Sequence, residues 1–143
     1  MLKKFLKKKE NEGPNNKNVL IIALLIHAAK IDENYTDVEK KIIIKAITHL
    51  KKISLDESEK LLELAEKKEE ESNQIVEFTR EIKKYSMAFR LKIIEIIWKI
   101  VYSDGSSDSY ESNLIRRICG LLYISDKDNG IIKMKIKSSL NKI

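Results

Sequence analysis

Two segments of the chain carry oxygen donors at one spacing: Asp32-Glu-Asn-Tyr-Thr-Asp-Val-Glu39 and Asp104-Gly-Ser-Ser-Asp-Ser-Tyr-Glu111. Carboxylates in this number suit a hard divalent cation, Ca²⁺ or Mg²⁺ rather than Zn²⁺, because such ions take oxygen ligands. Asp32, Glu39, Asp104 and Glu111 are the candidate metal ligands, with Glu33, Asn34, Asp37 and Asp108 as outer ligands. Helix capping explains part of the same pattern. Thr36-x-x-Glu39 and Asp108-x-x-Glu111 each read as an N-cap with a reciprocating acid, and Ser54-x-x-Glu57 and Ser125-x-x-Asp128 carry similar signals. Capping leaves Asp32 and Asp104 unexplained, since each stands at the C-terminal end of an apolar helix, where the helix dipole disfavours an anion. Their charge calls for a bound cation or for Lys30, Lys40, Arg116 and Arg117 nearby in sequence. An EF-hand loop is excluded: counted from Asp104, the sixth position is Ser109 instead of Gly and the twelfth is Ile115 instead of Glu.

Other chemistry is thinly supplied. A single cysteine, Cys119, rules out an intramolecular disulfide and multi-thiolate zinc sites, and two histidines, His27 and His49, do not support a His-rich metal centre. His27 lies inside an apolar run and reads as a hydrogen-bonded core residue, Cys119 as a small buried hydrophobe, and Trp98 as core. No nucleophile elbow, phosphate loop, zinc-protease helix or dinucleotide fingerprint occurs, so a non-enzymatic role is expected.

The elements that must position the acids are helices. One Pro and four Gly among 143 residues, with 43% hydrophobic and 35% charged, starve turns and hairpins and favour an all-α domain. Val19 to Ile31 and Leu91 to Tyr102 are apolar on nearly every side and read as central helices. Amphipathic helices are expected at Val38–Leu50, at Asp56–Glu71 with a solvated acidic face, at Ile75–Tyr85, at Leu114–Leu122, and at Ile131–Leu140, with Asn129-Gly130 delaying the last. An offset of 72 places Leu24-Leu25 over Ile96-Ile97, Asp32 over Asp104, Glu39 over Glu111 and Ile42-Ile43 over Leu114-Ile115. One further single-residue shift places Leu50-x-x-Ile53-Ser54 over Leu121-x-x-Ile124-Ser125. The reading is one domain over 18–143, about seven helices with a duplicated helix-loop-helix pair about a pseudo-two-fold axis.

Net charge is +6, and the first 18 residues, with six lysines against two glutamates, carry four of those six charges. The basic residues are terminal and the middle of the chain is acidic, so nucleic-acid binding is not expected. Residues 1–17 read as a flexible basic arm. On a helix, Leu2, Phe5 and Leu6 share one side and Lys3, Lys4, Lys7 and Lys8 take the other, and residues Leu2 to Lys9 together offer contact with a membrane surface; a solvated tail is the alternative. The longest apolar run ends at Lys30, too short to span a bilayer, and a cytoplasmic protein is expected, with membrane association through the arm.

A buried helix running into an Asp-Gly-x5-Glu loop, repeated in a second half and clearest at Val101-Tyr-Ser-Asp104-Gly105 through Glu111, resembles the tellurite-resistance TerB family and its relatives, among them the N-terminal domain of DjlA-type co-chaperones. The likeness covers about residues 19–141 and implies an all-helical domain of about seven helices with an acidic surface that takes divalent cations at Asp32, Glu39, Asp104 and Glu111. The first copy has Glu33 where the family pattern has Gly, and the second has Val101 where it has Ala. The expected function is a TerB-like interaction module that docks a protein partner in a stress or membrane-associated complex. A metal-independent scaffold recruited to membranes through the arm is the alternative.

Overall fold

The computed structural model describes residues 14–31, 35–72, 74–104 and 109–140, and these described residues form seven α-helices in succession. The candidates Leu2 through Lys9, Asp32, Glu33, Asn34 and Asp108 lie outside the described residues, and of Asp104 and Glu111 only the backbone is described. The helices are α1 (Pro14–Ala29), α2 (Asp37–Lys51), α3 (Leu55–Glu71), α4 (Ile75–Ile82), α5 (Met87–Val101), α6 (Ser109–Leu121) and α7 (Asp126–Leu140). A 3₁₀ turn, Tyr102–Asp104, extends α5, and the described residues contain no strand.

The two apolar helices form the core. Ile21 to Ile26, Ala28 and Ala29 of α1 and Ile93, Ile94, Ile96, Ile97, Trp98 and Ile100 of α5 are buried, and the two helices pack on each other. Each remaining helix buries one stripe against them, for example Ile43 and Ile47 of α2 or Leu61, Leu62 and Ala65 of α3. Helix α1 starts at Pro14, four residues before the helical pattern was expected at Asn18; proline lacks an N–H that the first turn would leave unbonded anyway and has a helical φ already set. Helix α7 likewise starts early. Asn129-Gly130 does not delay it: the Ser125 hydroxyl accepts from the Asp128 N–H at 3.1 Å, and the Asn129 side chain, inside the helix, accepts from Trp98 Nε1 at 2.9 Å.

The duplicated helix pair is present and extends to a third helix in each half. Helices α1–α2–α3 correspond to α5–α6–α7, and the packing is unchanged when the halves are exchanged: α3 covers α1 as α7 covers α5, and α2 packs on α5 as α6 packs on α1. The backbone repeats as well. Lys52 and Tyr123, which end the α2–α3 and α6–α7 corners at equivalent positions, have φ of 52° and 57°, a left-handed helix stop in both copies. The next residues also match, with Ser54 accepting from Glu57 N at 3.1 Å as Ser125 does from Asp128. Helix α4 alone has no counterpart among the described elements. It links the halves and packs on α1 and α6.

This arrangement sets the position of the loops. The C-terminal end of α2 meets the start of α5, where Lys51 Nζ lies 3.2 Å from Tyr85 Oη and 5.1 Å from the Phe89 ring centroid. Helix α2 therefore runs antiparallel to α5, and Val38 at its start shares a groove with Ser103 after α5. As α2 also returns along α1, the C-terminal ends of α1 and α5 lie at one end of the molecule.

Candidate functional site

Of the four candidate metal ligands Asp32, Glu39, Asp104 and Glu111, only Glu39 has a described side chain. It is 5% exposed, and its Oε1 accepts from the Thr36 backbone N–H at 2.8 Å and from Thr36 Oγ1 at 3.1 Å. Thr36 Oγ1 in turn accepts from the Glu39 N–H at 3.2 Å, which completes a capping box at the start of α2. Capping is thus a role that Glu39 fills. Asp37, one of the outer candidates, is exposed in the first turn of α2, where its charge is favourable to the helix dipole.

Tyr35, between Asn34 and the cap, was not among the candidates. Its hydroxyl is buried and has no hydrogen-bond partner among the described residues. Burial first, and then the carboxylates of Glu66, Glu39 and Glu69, hold the phenol well above its usual range, so it stays protonated. Lys40 Nζ sits 4.9 Å and Lys30 Nζ 5.8 Å from its ring centroid, within reach of a cation–π contact. Both lysines also face acids of α3: Lys30 Nζ donates to Glu69 Oε2 at 2.8 Å, and Lys40 Nζ lies 3.8 Å from Glu66 Oε2.

The acidic face expected to be solvated on α3 is therefore corrected at Glu69, which is 6% exposed. Its second oxygen lies 3.2 Å from His27 Nδ1. His27 is hydrogen-bonded as expected, though only half-buried. No local signal marked Glu69, because its partners are 39 and 42 residues away. A polar residue inside the apolar run of α1 implied a partner without naming it. Arg116 and Arg117, considered as neutralisers of the loops, are exposed and form no ion pair among the described residues.

Among the described residues no three of His, Cys, Asp and Glu converge as a metal site; the candidate loops fall largely outside those residues. Cys119 is buried, and burial, with a smaller contribution from Asp126, pushes its thiol up to about 12, so the reactive thiolate is scarce at neutral pH. Among the described residues no helix is long and apolar enough to cross a membrane.

Compared with known families, residues 18–134 match the family model described as tellurite resistance protein TerB. Comparisons with curated proteins and with solved structures give no match.

Proposed function

Because the chain belongs to the TerB family of tellurite-resistance proteins, we propose that it is a non-enzymatic interaction module whose paired acidic loops hold a divalent cation and dock a protein partner in a stress or membrane-associated complex. The observation that carries this reading is the duplication itself, in which the helices preceding both acidic loops end on the same side of the molecule. Equivalent anionic loops gathered at one end repel each other unless a cation lies between or beside them.

The donor chemistry fits a hard ion. Asp32, Glu39, Asp104 and Glu111 offer carboxylate oxygen alone, and Glu33, Asn34, Asp37 and Asp108 add oxygens around them. The Tyr35 hydroxyl, without a hydrogen-bond partner among the described residues, is consistent with the same assignment, since a hydrated ion in the adjacent loop brings water as its partner. A bound cation supplies positive charge that lets the carboxylates approach. The chain's own contribution is to orient them: the Thr36–Glu39 box fixes the start of α2, and the α1–α5 core fixes the two halves relative to each other.

The test is thermal unfolding of the chelator-stripped full chain, titrated separately with Ca²⁺, Mg²⁺ and Zn²⁺. A cation at 100 times its dissociation constant adds about 2.7 kcal/mol to the folded state, a midpoint rise of several degrees for a domain this size. Asp32→Asn combined with Asp104→Asn is expected to abolish that rise and to leave the metal-free midpoint in place. An undiminished rise in the double variant removes the shared site, and no rise with any cation leaves the loops as helix caps.

A further inference from the structure

The exchange of halves leaves one position without a counterpart among the described residues. Helix α4 packs on α1 and α6, so its counterpart would pack on α5 and α2. At that place the described residues leave an open groove of about 600 Å³, walled by Val38, Ile42, Ala46 and Leu50 of α2, with Ile96 of α5 and Ile136 of α7 completing its apolar surface. The four α2 residues recur every four positions and form one ridge along the helix. A groove of this kind accepts a short helix through apolar anchors one turn apart.

The chain contains a segment with the matching pattern at the matching position. Helix α4 buries Ile75, Phe78, Thr79, Glu81 and Ile82, the apolar anchors among them being Ile75, Phe78 and Ile82, and precedes α5 with four residues, 83–86, between them. Leu2, Phe5 and Leu6 repeat the spacing of Ile75, Phe78 and Thr79, and four residues, 10–13, separate Lys9 from the start of α1. We propose that residues 2–9 form the missing counterpart of α4 and dock in cis in the groove between α2 and α5.

On a helix these three side chains fall within about 100° of arc, and Lys3, Lys4, Lys7 and Lys8 point away from them. Lys9 takes the place of Ile82; its aliphatic stem lies along the groove with the ammonium at the rim. Charge sets the strength of the contact. Lys45, Lys92 and Lys99 border the groove; Lys45 has no ion pair among the described residues, and Lys92 and Lys99 share Glu95 with Lys135. Like charges on segment and rim oppose docking, so raising the salt concentration strengthens it, the reverse of an acidic partner or an anionic membrane. Docked, the segment hides the apolar side that a membrane would take and displays its outward lysines. This inference does not depend on a bound cation.

The experiment is methyl and aromatic NMR on the full chain, with amide exchange of residues 4–9. Contacts are expected between the Phe5 ring and the methyls of Ile42, Ile96 or Ile136, with exchange of those amides slowed at least about tenfold relative to an unstructured chain, and slowed further between 50 and 300 mM KCl. Phe5→Asp with Leu6→Asp, outside the folded core, should erase the contacts and shift the groove methyls while Phe78 is unchanged. Unprotected amides without Phe5 contacts would overturn the proposal. So would contacts that vanish on dilution, which assign the groove to a second copy, or protection seen only with phosphatidylserine vesicles, which assigns the segment to lipid.

Discussion

Lys30 and Glu69 are joined across the α1–α3 interface by a 2.8 Å charge-assisted hydrogen bond, and the other Glu69 oxygen lies 3.2 Å from His27. Both carboxylate oxygens of a nearly buried acid are therefore bonded, which is the condition for burying a charge without a large penalty. Lys30 also stands just past the C-terminal end of α1, where a cation is favourable to the helix dipole. Sequence locality puts Lys30 beside Asp32, yet the fold turns it toward α3.

Removing either partner leaves the other poorly compensated. Glu69→Ala is expected to cost about 1–3 kcal/mol in urea unfolding, and Lys30→Ala less, since the lysine is about a third exposed. The double variant should show a coupling of at least about 0.5 kcal/mol, and strict additivity would count against a direct interaction.

The cap that Glu39 completes can be separated from the cation-binding role proposed for it. Gln at the third helical position still completes a capping box, so Glu39→Gln should leave the metal-free midpoint nearly unchanged, whereas Thr36→Ala should cost about 1 kcal/mol. If Glu39 also serves a cation, the same Gln variant should lose much of the cation-induced midpoint rise. A Gln variant that keeps the full rise confines Glu39 to the cap.

Acid should weaken the fold partly through Glu95. Burial alone would raise its pKa, but Lys92, Lys135 and Lys99 outweigh burial, with nitrogens 3.4, 3.6 and 3.8 Å from its oxygens, and hold the carboxyl below its ordinary range. The unfolded chain then takes up the proton first as pH falls. The stabilisation is complete above the unfolded value of about 4.3 and is lost as pH drops through the lower folded value. Midpoints measured from pH 6 to pH 3 should fall less steeply in Glu95→Gln than in the unaltered chain, the gap between them closing in acid. A gap independent of pH would sink this assignment.

Much of the architecture was legible because helices announce themselves locally. The all-round apolar stretches at 19–31 and 91–102 became the core pair α1 and α5, and the caps at Thr36, Ser54 and Ser125 form as their three-residue spacing implied. The repeat was visible through the matched apolar pairs and Asp-x6-Glu loops, although it extends to a third helix in each half. Helix starts were less legible: Asn129 looked like a turn residue, but its hydrogen-bond partner, the Trp98 indole, lay 31 residues upstream.

By itself the sequence determined helical class, the inward stripes, the duplication and the family, since each depends on the 3.6-residue period or on self-similarity along the chain. Only the tertiary structure decided what each stripe faces. It buried Glu69 against His27 and Lys30, placed the Tyr35 hydroxyl in the field of carboxylates from α2 and α3, and packed α4 on α1 and α6 while the described residues leave the equivalent groove between α5 and α2 open. Periodicity states that a face is turned inward; which distant side chains meet it depends on how whole helices cross, and no local spacing encodes that crossing.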